Sequence, residues 1–343
     1  MFGNGVEMNK PEVSVIVLNW NGKRFLSDCL GSLLNQSYSS YEVLLVDNGS
    51  TDDSLQFASE AFGKNSRLRI LALTENYGFS RGNNIGINNS RGQYVIILNN
   101  DTRVRKDFIK ELVSIAKSDP QVASVGCRIL SMNGKTWFSQ KFTNGGFVVP
   151  LFLQNLVRNR VEAISGRYCR NLANSGCACL FRKEVISKIG GYDEDFLADY
   201  EDWDLGYRIN LAGYKSVHIP LALVFHVGGG SAGYRPERYE RIYRNIMLSN
   251  FKNYDTFNLL TRFPFFIFVL LPLSHLGFVI RQLVVGRHFR RNESLGYFLA
   301  LAKGYVMFLT KLRVFSSKRY IVQKLRSTSD KELFRNTLCE FFL

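Results

Sequence analysis

Ile96-Ile97-Leu98-Asn99-Asn100-Asp101 decides the fold: an apolar run, entered through Tyr94 and Val95, stops abruptly at three polar residues. Bounded upstream by Arg91-Gly92, it has the pattern of a strand buried on both faces of a parallel sheet. Such sheets bind ligands just beyond the carboxyl ends of their strands, which is where Asn99-Asn100-Asp101 falls. One carboxylate there suits a divalent metal that holds phosphates. Equally, Asp101-Thr102 can cap a helix that begins near Lys106.

Outward from this stretch the same pattern repeats. Val13 to Leu18 runs into Asn19-Trp20-Asn21-Gly22, Tyr41 to Val46 into Asp47-Asn48-Gly49-Ser50, and Leu68 to Leu73 into Thr74-Glu75-Asn76. Between the first two runs, Phe25, Cys29, Leu30, Leu33 and Leu34 recur at helical spacing, and a short helix is expected over residues 81–90. Strand–helix alternation of this kind predicts an α/β fold, Rossmann-like, with a mainly parallel sheet and helices on both faces. Polar residues at four strand ends then line one edge, where a nucleotide would lie. No G-x-G-x-x-G follows the first strand and no G-x-x-x-x-G-K-[ST] occurs, which excludes the dinucleotide and P-loop modes of holding it.

The 343 residues suggest about two domains. Net charge is +15, concentrated at the back: from Arg235 onward there are 19 Lys or Arg against 7 Asp or Glu. An anionic membrane surface is the favoured partner for this basic region, since no nucleic-acid recognition motif accompanies the charge. The apolar stretches 263–280, with Pro264 and Pro272, and 296–315, interrupted by Lys303, Lys311 and Arg313, suit helices lying in the bilayer plane. The first is at the lower limit for spanning, and an ordinary helical bundle packed on the α/β domain is the alternative. Six cysteines without paired C-x-x-C spacing read as buried, reduced thiols. Met1 to Lys10 is polar, so no cleavable signal is expected.

Acidic residues are densest at Asp195, Asp199, Glu201, Asp202 and Asp204, at the start of a helix that places Trp203, Tyr207 and Leu211 on one side. A solvated charged face is the usual reading of such a cluster. Upstream, the small residues of Asn174-Ser175-Gly176-Cys177-Ala178-Cys179 permit close approach of a ligand or of backbone. Downstream, one strand is expected to end at His218-Ile219-Pro220, with a second apolar run, Ala222 to Phe225, reaching His226. The glycines after His226 would let backbone amides approach anionic oxygens.

Ser14-Val15-Ile16-Val17-Leu18-Asn19-Trp20-Asn21-Gly22, Leu45-Val46-Asp47-Asn48-Gly49-Ser50-Thr51-Asp52 and Asn76-Tyr77-Gly78-Phe79-Ser80-Arg81-Gly82-Asn83-Asn84-Ile85-Gly86 together resemble the GT-A glycosyltransferases of family 2, in particular the rhamnosyltransferase-like branch. The resemblance implies a GT-A catalytic domain over 11–231, followed by a basic, membrane-associated helical region over 232–343. It implies inverting sugar transfer from a nucleotide-sugar donor to a glycan or polyprenyl-diphosphate-linked acceptor, at the cytoplasmic face of the cell membrane. By the same resemblance Asp47 contacts the nucleobase, and Asn19, Trp20, Asn76, Gly78, Asn84 and Asn100 complete the donor site. The family's D-x-D motif stands here as Asn99-Asn100-Asp101, leaving only its last aspartate. Asp101 is then expected to hold Mg2+ or Mn2+ together with His226, while Asp202 acts as general base supported by Glu201. dTDP-rhamnose is the expected donor and UDP-galactofuranose its close rival. A nucleotidyltransferase would need a Gly/Arg/Lys-rich loop near the first strand, which is absent; a catalytically silent nucleotide-sugar-binding or scaffold protein is the rival from another class.

Overall fold

The structure, a computed structural model, describes residues 10–132, 168–228, 235–285 and 294–337. Nine strands form one sheet: β1 (Val13–Asn19), β2 (Tyr41–Asp47), β3 (Leu68–Ala72), β4 (Tyr94–Asn99), β5 (Thr102–Val104), β6 (Val122–Ser131), β7 (Cys169–Asn171), β8 (Ala178–Arg182) and β9 (Lys215–His226). Their order is β3-β2-β1-β4-β8-β6-β9-β5, with β7 beside β9. The pairs β3-β2, β2-β1 and β1-β4 are parallel, as the strand–helix alternation predicts. Beyond β4 the sheet is mixed, because β8 enters antiparallel to both β4 and β6. Hydrophobic periodicity identifies a buried strand but not the direction of its neighbour, so this departure from a mainly parallel sheet had no local signal.

Helices cover both faces. Val13, Val15 and Val17 of β1 pack with α1 (Lys23–Leu34) and α4 (Phe108–Ser118), near α2 (Ser54–Phe62). Ile16 points the other way, towards α3 (Gly78–Asn89), α5 (Lys183–Lys188) and α6 (Glu201–Leu211). This alternation follows from the two-residue side-chain period of a strand. Thr102–Val104 is a strand paired with the end of β9, and the residue before α4 is Asp107. The capping role considered for Asp101-Thr102 is therefore ruled out. The expected strand end at Pro220 is also absent: β9 continues through it, absorbing Pro220–Ala222 as an irregularity in its pairing with β6.

The C-terminal helices are α7 (Pro236–Asn253), α8 (Thr256–Phe265), α9 (Leu271–Val285), α10 (Ser294–Leu325) and α11 (Asp330–Thr337). A π-helical turn, Phe266–Leu270, joins α8 to α9. Pro272 has no N–H for the Ile267 carbonyl that this turn leaves open, and the Tyr305 hydroxyl of α10 donates to it instead. Tyr207 and Leu211 of α6 share one apolar cluster with Tyr243, Met247, Phe263, Phe266 and Phe308, and Trp203 packs against it. Much of the tail's positive charge turns inward as well. Arg238 and Arg241 pair with Asp199, Lys252 with Asp193 and Asp204, and Lys311 and Lys318 with Asp195.

Candidate active site

The polar ends of β1, β2 and β4 interlock. Asn19 Nδ2 donates to Asp47 Oδ2 (3.0 Å) and to Ser50 Oγ (3.2 Å), while its Oδ1 accepts from Asn100 Nδ2 (2.7 Å). Asp47 is 2% exposed, and its other oxygen accepts from the Ser50 amide at 2.9 Å. Gly22 makes this possible: a Cβ there would stand 2.0 Å from Asn100 Nδ2 and 2.5 Å from Asn19 Oδ1. Trp20, next to this knot, is 44% exposed and stands at its mouth. Asn76 Oδ1 accepts from Asn48 Nδ2 (2.9 Å) and from the Gly78 amide (2.8 Å), fixing the turn into α3. Asn84 differs. Its amide brackets the Tyr192 backbone, donating to the carbonyl (2.8 Å) and accepting from the amide (2.9 Å), so it ties α3 to the 191–194 loop.

Asp101 and His226 come together because β5 pairs with the end of β9, Thr102 opposite His226. His226 Nε2 lies 3.0 Å from Asp101 Oδ1, and the Val227 amide donates to the Asp101 carbonyl at 3.0 Å. One carboxylate oxygen and one imidazole nitrogen, both nearly buried, are a donor pair that suits Mn2+ or Mg2+ when phosphate oxygens and water fill the remaining positions. Among the described residues no group of three or more His, Cys, Asp or Glu could hold a metal alone. The Gly229-Gly230-Ser231 run lies outside the described residues.

The small-residue segment before β8 carries Asp202 to the same edge. The Asn99 amide donates to the Cys177 carbonyl (2.9 Å), and one residue back the Gly176 amide donates to Asp202 Oδ2 (2.9 Å). Asp202 Oδ1 accepts from the Trp203 amide at 2.8 Å, at the start of α6. The acidic stretch is sorted by its partners. Asp193, Asp195, Asp199 and Asp204 each meet a cation, whereas no ion pair reaches Glu201 or Asp202 among the described residues. Burial raises the Asp202 carboxyl above its ordinary value despite the Gly176 and Trp203 amides. Glu201 is buried, with no hydrogen-bond partner at Oε2 among the described residues, and burial together with the neighbouring Asp202 charge pushes its carboxyl well up. Both carboxyls are thus raised, Glu201 the more strongly, and Asp202 is the more accessible of the two, half-buried where Glu201 is buried.

Five cysteines are free thiols and four of them are buried, as their spacing suggests; Cys339 lies outside the described residues. Gly22 and Ser50 stand in the quoted motifs without an assigned role, since their contribution is the room or the hydrogen bonds they offer to distant residues; Gly176 shows the close backbone approach expected of its small-residue segment.

The mixed, Rossmann-like α/β sheet with helices on both faces and its polar site along one strand edge is a GT-A fold. Comparison with solved structures agrees: the mannosyltransferase PcManGT from Pyrobaculum calidifontis, solved with GDP-Man and Mn2+, superposes with a TM-score of 0.57, covering 93% of this chain and 86% of that one at 16% identity. The model of glycosyl transferase family 2 matches residues 14–190, just over half of the chain, and the chain belongs to that family. Among curated relatives, the uncharacterized protein y4gI of Sinorhizobium fredii is 28% identical over 264 residues, 71% of this chain and 28% of that protein. The O-antigen biosynthesis protein RfbC of Myxococcus xanthus is 32% identical over 222 residues, 63% of this chain and 17% of that protein. The chain thus spans less than a third of the length of either relative.

Proposed function

We propose that the chain is an inverting glycosyltransferase acting in polysaccharide synthesis, moving one sugar from a nucleotide donor to a glycan or polyprenyl-linked hydroxyl. The observation that carries this reading is the selective treatment of Asp202: every other aspartate from 193 to 204 is neutralised by a cation, and this one is left desolvated beside the Asp101–His226 pair's strand edge. Asp202 takes the acceptor proton as the hydroxyl attacks the anomeric carbon, and burial, which raises its carboxyl above the ordinary value, makes it a better proton acceptor than an exposed carboxylate. The Asn19–Asp47–Ser50–Asn100 network supports the base and ribose of the donor from beneath, with Trp20 at the mouth and Asn76 and Gly78 shaping the turn beside it. Asp101 and His226 would hold Mn2+ or Mg2+, which when bound neutralises the charge of the departing diphosphate. The GDP-Man and Mn2+ in the mannosyltransferase structure support this assignment.

dTDP-rhamnose is the favoured donor, on the motif resemblance and the likeness to an O-antigen biosynthesis protein; UDP-galactofuranose is the rival. Membrane-surface docking is supported by the exposed apolar row Phe257, Leu260, Phe265, Phe268, Leu273 and Leu276, matched on α10 by Leu295, Val306 and Leu309. The segment Thr256–Gly277 is long and apolar enough to cross a membrane by length and composition, with 28% of its apolar window buried against the protein. Peripheral attachment, at the cytoplasmic face where the motif resemblance places the family, is the reading adopted, because exposed aromatic and aliphatic residues recur along α8, α9 and α10.

Asp202→Asn tests the assignment. With the donor that a nucleotide-sugar screen selects, turnover is expected to fall by about 10²–10⁴-fold, the contribution of a positioned base, while calorimetric donor binding with Mn2+ is retained. Wild-type turnover in the variant would refute the base, and no binding of any nucleotide sugar by the wild type would refute the enzyme.

A further inference from the structure

We infer that Asn245, in the interior of α7, is a positioning residue for the reaction: it holds the backbone of residues 196–199 in the conformation that presents Glu201 and Asp202. This inference rests on the assignment of Asp202 as the base. Leu197, Asp199 and Tyr200 have φ of 63°, 64° and 76°, left-handed values that side chains other than glycine disfavour. Three such residues among the four that precede α6 need outside support to persist. With the chain wound this way, the carbonyls of Phe196, Ala198 and Asp199 converge on one point instead of entering regular structure. Asn245 Nδ2 occupies that point, donating at 3.1, 3.0 and 2.6 Å to the three oxygens.

Asn245 is fully buried, and its own orientation is fixed, because its Oδ1 accepts from Arg244 Nε at 2.9 Å. Arg244 Nη2 then reaches the Asp195 carbonyl at 3.0 Å, and Arg238 and Arg241 grip the Asp199 carboxylate at 2.8 and 2.6 Å. From the other side, the Ser80 amide at the start of α3 donates to the Leu197 carbonyl at 3.0 Å. The loop is therefore clamped between the donor-side turn at Gly78–Ser80 and a helix of the C-terminal region. An amide is the side chain this place requires. Aspartate at 245 has no donor to offer the carbonyls and brings a charge against them; leucine of similar size takes the donor from the Ala198 and Asp199 carbonyls, while the Phe196 carbonyl keeps the Ala198 amide at 2.7 Å.

The test uses the full chain with Asn245→Ala and the milder Asn245→Ser, which keeps one donor. Turnover is expected to fall at least about tenfold in Asn245→Ala and less in Asn245→Ser. KM for the donor, and calorimetric binding of dTDP and UDP with Mn2+, should stay within about twofold of wild type, while the midpoint of the acid limb of kcat moves. Hydrogen exchange should speed up in peptides covering 196–202 while α7 stays protected, a readout that needs no activity. Wild-type turnover and exchange in a folded variant would overturn the inference, as would a loss confined to donor affinity. Global unfolding of both variants would overturn it too, assigning Asn245 to stability alone. If the wild type transfers no sugar from any donor, the functional reading fails separately, and unchanged exchange in the loop would still refute the positioning role.

Discussion

Replacing Lys252 by Met asks whether the C-terminal helices hold the catalytic half through charge or only through packing. Lys252 is 1% exposed, with its ammonium 2.6 Å from Asp193 Oδ2 and 2.8 Å from Asp204 Oδ1 and the rings of Phe196 and Phe315 nearby. Methionine fills a similar volume without the charge. Removing one partner of a buried pair costs roughly 3–5 kcal/mol. Here Asp204 keeps Arg208 and Asp193 keeps Lys318, so the loss should fall near the bottom of that range, about 3 kcal/mol. The pH dependence gives a second handle. Burial alone would raise the Asp193 carboxyl, but the Lys252 and Lys318 ammoniums outweigh it and hold the group well below its ordinary value. A carboxyl depressed in the folded state contributes stability above its unfolded pKa of about 4 and loses it as pH falls towards the folded value. Denaturant unfolding of wild type and variant from pH 8 to pH 3 should therefore show a difference that is constant at high pH and shrinks below about pH 4. A loss under about 1 kcal/mol at pH 8 would refute the reasoning and leave packing as the whole of the seam.

Three further outcomes follow from the same geometry. Turnover should rise with pH through a carboxyl midpoint above the ordinary value of about 4, since burial raises Asp202, and that limb should be lost in Asp202→Asn; a pH–rate profile with an unchanged limb in the variant would count against the base. Gly206→Ala should destabilise by about 1–3 kcal/mol in thermal or urea unfolding, because its Cβ would stand 2.5 Å from Ala173 Cα and push α6 off the 172–173 backbone. Liposome co-sedimentation should weaken at least about tenfold in the triple variant Leu260→Ser, Phe268→Ser, Leu309→Ser, and should respond little to salt, since the apolar face rather than the inward-turned cations makes the contact.

The strand ends were legible because each couples two signals in a few residues, a buried apolar run and an abrupt polar stop; β1, β2 and β4 all read this way. The family, too, was carried by contiguous motifs inside the matched segment 14–190. What stayed hidden depends on partners far along the chain. β5 is only three residues long, so Thr102 resembled a cap, and its pairing with β9 brings in residues more than a hundred positions away. Asn84 sits inside a recognisable motif, yet its amide is taken up by Tyr192, which no spacing rule announces.

The basic region shows what a count of charges leaves out. A run of cations after a neutral domain invites an external anion; in the fold five of those cations, Arg238, Arg241, Lys252, Lys311 and Lys318, meet Asp193, Asp195, Asp199 and Asp204 at and before the start of α6. Neutralising Asp193, Asp195, Asp199 and Asp204 has a consequence for the residue left out. With four neighbouring charges compensated, Asp202 can remain ionised in a desolvated place that a crowd of uncompensated carboxylates would not permit. If Asp202 is the base, as proposed, residues 10–228 supply its acid–base environment only in part. On this argument the C-terminal helices are part of the active site's electrostatics whether or not they also meet a membrane, and a chain cut after β9 should lose turnover even with every donor-site residue retained.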